Sequence, residues 1–266
     1  MIMTKRLYLY CALGLFSGVA LAADDKPVET RINTVKLGAT LSFNYSKPIF
    51  KGIDSTSGYS LVPSFRLGGS ADSKTSSSAA NPYRGPFKFA LRPKVSVFNL
   101  GYDASDSTAL AGMKDRDTMF SVGLKLSTRT KMGSFVLSGG YDVTGRNDGF
   151  EGSLMYTNLV SVPSTRLQFY PEVGVNYWSG KVSDYYFGVN SDEVIASGAN
   201  QRSEYSLDAT TNYFVGYRVE YPLTKRWSLT HKLHKTWFDD QILDSPVVDE
   251  DKGSDLRTSF GIRFSY

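Results

Sequence analysis

The sequence predicts an all-β protein, a transmembrane antiparallel up-and-down β-barrel of about ten strands, with twelve as the alternative count. Three observations predict it: apolar and polar residues alternate with period two along ten segments, aromatic residues bound the apolar faces, and the chain opens with an export signature. Side chains on a strand point to opposite faces, and a membrane-embedded barrel wall needs apolar groups outside and polar groups inside.

The export signature comes first along the chain. Lys5 and Arg6 precede an apolar run over 7–21 that closes on Ala20, Leu21 and Ala22, so cleavage is expected after Ala22. The run is shorter than the ~20 residues that a spanning helix needs. The expected organisation is a signal peptide over 1–22, a periplasmic N-terminal segment over 23–33 and an outer-membrane barrel over 34–266. Cys11 lies inside the signal, so no disulfide or thiolate chemistry is expected of the mature chain. The signal holds Lys5 and Arg6 but none of the 26 acidic residues, so the mature chain is near neutral and its net charge names no partner. Aromatic content of 14%, 24 glycines and a mean hydropathy of −0.25, with no second long apolar run, exclude a helical membrane protein. They leave a soluble β-domain or an outer-membrane barrel.

Over 35–45, Val35, Leu37, Ala39, Leu41, Phe43 and Tyr45 share one face against Lys36, Gly38, Thr40, Ser42 and Asn44. Over 167–178, Leu167, Phe169, Pro171, Val173, Val175 and Tyr177 oppose Arg166, Gln168, Tyr170, Glu172, Gly174 and Asn176. Tyr213, Val215, Tyr217, Val219 and Tyr221 alternate with Asn212, Phe214, Gly216, Arg218 and Glu220. The segments 59–67, 87–97, 118–126, 135–143, 150–156, 227–237 and 256–266 alternate likewise. Each fits a 180° repeat better than a 100° one, which disfavours amphipathic helices.

A soluble sandwich also alternates, but it does not need an aromatic at each end of its apolar face. Trp227 and Trp237 end the face that carries Leu229, His231, Leu233 and Lys235. Ten residues at ~3.3 Å, tilted about 40°, set the indoles ~25 Å apart along the membrane normal, the spacing of the two interfacial girdles. Tyr213 and Tyr221 bound the preceding face in the same way. His231 and Lys235 are misfits there; either Lys235 snorkels to the interface with His231 neutral, or a bulge shifts the register.

Outer-membrane barrels have short periplasmic turns and longer external loops. Short periplasmic turns are expected at 128–132, 162–165 and 222–226, and external segments at 46–58, 103–117, 179–208 and 238–255. One periplasmic connection, 69–85, is long and Ser-rich. The alternating end of the chain, with Phe264 and the terminal Tyr266, is the kind of segment that barrel-assembly machinery recognises; outer-membrane lipid is the other partner that the wall implies.

Asp184-Tyr185-Tyr186-Phe187-Gly188-Val189, Asp244-Ser245-Pro246-Val247-Val248 and the closing Gly261-Ile262-Arg263-Phe264-Ser265-Tyr266 resemble the MipA/OmpV family of outer-membrane proteins, with weaker matches at Asp142-Val143-Thr144-Gly145 and Tyr83-Arg84-Gly85. The departures are the terminal Tyr and the Ser-rich 69–80 segment. The resemblance implies a scaffold that brings a lytic murein transglycosylase together with a bifunctional murein synthase, while other members look like adhesins or antigens. The motif residues have a plainer reading too, as girdle, turn and strand-end chemistry.

Catalytic parts are scarce. His231 and His234 are the only histidines, and their odd spacing on a strand sends them to opposite faces, so they form neither a dyad nor a metal pair. An acid-assisted site around His234 with Asp239 or Asp240 is the residual enzymatic option. No cofactor is expected. Lys36, Arg66, Lys88, Arg92, Lys94, Lys125, Arg166, Arg218, Lys232 and Arg263 face the lumen by alternation, against Asp142, Glu151, Glu172 and Glu220. Ten strands leave a narrow interior, so ion pairs should plug it; an open lumen of this charge would favour anions. Basic residues inside a barrel make no stripe for nucleic acid.

Overall fold

The computed structural model describes residues 5–7, 32–69, 88–98 and 100–265, of which 5–7, 32–37, 63–69 and 88 are described by backbone alone. The expected signal cleavage site, the Ser-rich connection, Tyr83-Arg84-Gly85 and Tyr266 lie outside the described residues. Ten long strands make the wall: β1 Ile32–Lys47, β2 Thr56–Gly69, β3 Lys88–Phe98, β4 Met119–Arg129, β5 Ser134–Asp142, β6 Phe150–Thr157, β7 Gln168–Trp178, β8 Thr210–Pro222, β9 Trp227–Trp237 and β10 Ser254–Ser265.

They form one antiparallel sheet in the order β2-β1-β10-β9-β8-β7-β6-β5-β4-β3, so the first and last strands pair, as an up-and-down barrel requires. Among the described residues no ladder joins β2 to β3; the free edge of β2 instead pairs in parallel with Lys5–Leu7 at Ser57–Tyr59. The sheet is curled far enough for Lys94 on β3 to reach Glu151 on β6 at 2.8 Å. Phe98 at the end of β3 packs on Trp178 at the end of β7, ring centroids 5.1 Å apart. Phe50 and Tyr102, from the connections on either side of the seam, meet at 4.6 Å.

Leu91, Leu124, Leu137, Val173, Val215 and Phe260 are exposed on the outer face, while Ser121, Glu151, Asn212 and Glu220 on the inner face are buried. That is the reverse of a water-soluble fold, as lipid outside demands. The connections 130–133, 158–167 and 223–226 lie at the end that carries the start of β1 and the end of β10; 48–55, 100–118, 143–149, 179–209 and 238–253 lie at the other, external end. The two longest external segments add no strand to the wall: they contain α1 Gly180–Phe187, a 3-10 turn at Ser191–Glu193 and α2 Asp240–Leu243, with isolated antiparallel bridges between Val189 and Tyr205 and between Ile195 and Arg202.

The β9 register runs unbroken against both neighbours, so no bulge removes His231 or Lys235 from the lipid face. The His231 Nε2 lies 2.9 Å from Thr258 Oγ1, and its ring stacks on Phe260 at 4.2 Å, which partners and covers the imidazole. Lys235 places its ammonium 5.1 Å from the Trp237 ring centroid, at the external interface.

Candidate functional site: the external cap and the charged lumen

The external connections build a second core. Ile49, Phe50, Ile53, Tyr102, Leu110, Val182, Tyr186, Phe187, Val189, Ile242, Val247 and Val248 are all buried in one cluster over the barrel mouth. Val182, Tyr186 and Phe187 stand at helical spacing, so one turn of α1 turns its apolar side inward. Phe187 stacks on Phe50 at 5.4 Å and on Trp178 at 6.2 Å. A Cβ at Gly188 would sit 2.4 Å from the Asp184 carbonyl oxygen, so the helix can end this tightly only on glycine.

Residues of two of the three main sequence motifs meet here. Ser245 Oγ donates to the Phe187 carbonyl at 2.5 Å, and Val247 and Val248 are buried beside it. Tyr186 donates to the Asp117 carbonyl at 3.0 Å, Tyr185 Oη accepts from the Asp117 amide at 2.9 Å, and Asp184 Oδ1 accepts from Leu207 N at 3.0 Å. Val189 exchanges backbone hydrogen bonds with Tyr205. Asp244 is exposed and closes α2 through its amide, with Pro246 half-buried after it. Burial pushes the Tyr186 phenol well above its usual range.

One buried ion pair ties the cap's polar groups. Glu193, 1% exposed, accepts from Arg116 Nη2 at 2.8 Å, from the Asn190 amide at 2.9 Å and from Lys114 N at 2.7 Å. Burial alone would raise its carboxyl, but the hydrogen bonds from Arg116 and the two amides prevail and hold it at about 2. Arg202 donates to the Glu193, Ala109 and Ala111 carbonyls and so joins the 100–118 and 179–209 connections. Burial pushes the Tyr102 phenol up to about 12. None of this knot was foreseen from sequence. The legible signals were the Asn190–Glu193 capping-box spacing and the helical spacing of Val182, Tyr186 and Phe187.

Below the cap, Lys94 and Ser121 Oγ both reach Glu151, at 2.8 and 2.7 Å. Glu172 lies 2.7 Å from His234 Nε2, and Arg263 holds Glu220 through two nitrogens at 2.9 and 2.6 Å. Arg218 pairs with Glu220 and stands 4.0 Å over the Tyr170 ring. Arg92 is exposed on β3, the Arg66 side chain lies outside the description, and Arg166 is exposed in the connection before β7 and not on a strand. Asp142, the register partner of Ser121 and buried like it, spends its carboxylate on the following connection, accepting from the amides of Thr144, Arg146 and Asn147.

Tyr213 and Trp237 are register partners near the external end; Tyr221, Trp227 and Phe264 lie at the other, with Trp227 and Phe264 rings 4.9 Å apart. His234 stacks on Phe214 and is bonded to Glu172, while Asp239 is spent on the Thr211 and Gln241 amides, so these residues do not assemble an acid-base site. Among the described residues no cluster of three or more His, Cys, Asp or Glu could hold a metal.

A family profile described as "MltA-interacting protein MipA" matches residues 15–266. The chain belongs to the MipA family. It is 26% identical over 148 residues to outer membrane protein Omp26La of Vibrio anguillarum, covering 56% of this chain and 55% of that one. It is 27% identical over 150 residues to outer membrane protein OmpV of Vibrio cholerae serotype O1, covering 56% of each. The matched stretch thus spans just over half the length of these relatives. Among solved structures, Neisserial surface protein A aligns at 9% identity with a TM-score of 0.28, over 87% of this chain and 97% of that one. This MipA-family protein is a β-barrel of the Gram-negative outer membrane.

Proposed function

We propose that this protein is a non-enzymatic interaction barrel that links murein-remodelling enzymes to the outer membrane through its periplasmic face. The observation that carries the non-transport part of the reading is the cap: its buried core closes the mouth that a channel would need open. Binding needs no nucleophile and no general base, and the histidines are occupied by Glu172 and Thr258. The family description, an interaction with a murein enzyme, supports the choice of partner, a lytic murein transglycosylase with a bifunctional murein synthase as the second candidate.

Two of the three main motifs build the external lid and the third closes β10 over 261–265 at the opposite end, which is where we place the murein-enzyme contact. The surfaces for it are the connections at 130–133, 158–167 and 223–226, the segment 23–33 and the long 69–85 connection. Photocrosslinkers at Met132 and Lys225 should capture the transglycosylase or the synthase in intact envelopes, and one at Lys114 in the cap should not. Replacing 70–80 with a tight turn should leave the barrel folded and weaken that capture. No capture from any site, together with steady single-channel currents in bilayers, would replace the scaffold with a channel.

A further inference from the structure

The inner wall sets cations against cations. Arg92 on β3 is the direct register partner of Lys125 on β4, and Arg218 on β8 is that of Lys232 on β9. Like charges placed directly opposite on one face of a ladder repel. Arg218 is relieved by Glu220 and Glu172. Among the described residues Arg92, Lys125 and Lys232 make no ion pair with a carboxylate; Lys125 feels the charges of Arg92, Arg218 and Lys94 against that of Glu172, and Lys232 those of Arg218 and Arg263 against those of Glu172 and Glu220. The backbone register also sets Lys36 opposite Arg66 and Lys88 opposite Arg129.

Solvent access is graded along the lumen. Arg92, Lys125 and Lys232 are exposed, whereas Ser121, Glu151, Asn212, Thr210 and Asp255, nearer the external end, are buried beneath the cap. A pore would be open at both ends; this lumen is wet at the cations and closed above them. We propose that it is a dead-end site, entered from the periplasm, for a small soluble oxyanion of the phosphate class, held by Arg92, Lys125 and Lys232. A multivalent anion turns the repulsion of the facing pairs into shared attraction, and two flexible ammonium groups beside a planar guanidinium suit phosphate oxygens. This inference stands independently of the scaffold reading.

The test titrates the full chain in zwitterionic detergent at low ionic strength with pyrophosphate. Saturable binding and a raised unfolding temperature are expected, beyond what chloride gives at matched ionic strength. The double variant Lys125→Gln, Lys232→Gln should bind at least tenfold more weakly and, without the anion, unfold no earlier than the parent, because it relieves repulsion. An earlier unfolding would mean that these cations are structural and would overturn the site; so would equal binding by both proteins, or a response no larger than that to chloride. Displacement of pyrophosphate by detergent-solubilised phosphorylated lipid would move the site to the lipid-facing side and overturn it as well. Lys125→Cys should react with an anionic thiol reagent supplied to the periplasm and be protected from the same reagent outside intact cells; labelling from outside would exclude a dead end.

Discussion

On the barrel wall Leu124 and Val215 stand 56% and 44% exposed, whereas in the external cap Val182 and Phe187 are wholly buried. The same chain thus follows two opposite rules within a few residues of each other. The wall is stable because lipid meets its apolar face and backbone ladders satisfy its amides. The cap stands in water and folds as a soluble protein does, with an apolar centre and a buried ion pair. A mutation should therefore act by which rule it breaks, and the two regions should fail separately.

The largest effects are expected in the cap. Phe187→Ala removes a ring packed against Phe50, Trp178 and Phe238 and should cost about 3–5 kcal/mol of cap stability. Glu193→Ala strands the Arg116 charge in the interior and should cost a similar ~3–5 kcal/mol. In both variants protease should cut the 191–208 stretch in intact cells while the unboiled barrel still migrates fast on a gel. Loss of the barrel band as well would mean that wall and cap form one cooperative unit.

Acid should separate the regions without mutation. The folded Glu193 carboxyl lies below its ordinary value, 4.5 falling to about 2, so its stabilising contribution is full above 4.5 and is lost as pH falls through that interval. Protease protection of the cap should decline over this window before the barrel band changes, and Glu193→Gln should flatten the decline.

The wall's counterpart is Leu124→Arg, at the middle of β4, which should cost about 2–4 kcal/mol because a cation then faces the hydrocarbon midplane. It should lower barrel yield and leave the cap's protease pattern unchanged in the molecules that do assemble. Ser245→Ala, which leaves the buried Phe187 carbonyl without its side-chain donor, should cost about 1–3 kcal/mol in the cap. The smallest effect is expected from Lys235→Ala, about 0.5–1 kcal/mol, since its ammonium rests on Trp237 at an exposed interface.

The wall was legible in the sequence because period two is a long, repeated signal. Val35 through Tyr45 and Trp227 through Trp237 carried enough alternations to fix both the strands and the faces. The histidine faces followed from parity alone, and the structure places His231 toward Thr258 and His234 toward Glu172 as parity requires. The cap was not legible, since its apolar residues come from several connections in ones and twos, separated by Gly, Asp and Ser that give each segment a polar average. Ile49 and Phe50 do not look like half of a core until Val247 and Val248 lie against them. The loop role of Asp142 was missed for a related reason: parity sets it on the inner face beside Ser121, but at a strand end its carboxylate is taken up by three loop amides.

The clasp between the start and the end of the chain sets an order of events in assembly. Lys51 N donates to the Val247 carbonyl at 3.0 Å, Asp249 N to that of Ile49 at 2.8 Å, and Lys252 Nζ to that of Ile53 at 3.0 Å. These contacts span about two hundred residues, among the longest loops this chain can close, and they sit directly above the β1–β10 ladder. A chain still emerging into the periplasm has no Val247 or Val248 to offer Phe50, so the lid cannot be rehearsed early. Its completion therefore reports that the last strand has reached the first, and a C-terminally truncated chain should present its four remaining external loops to protease as open segments.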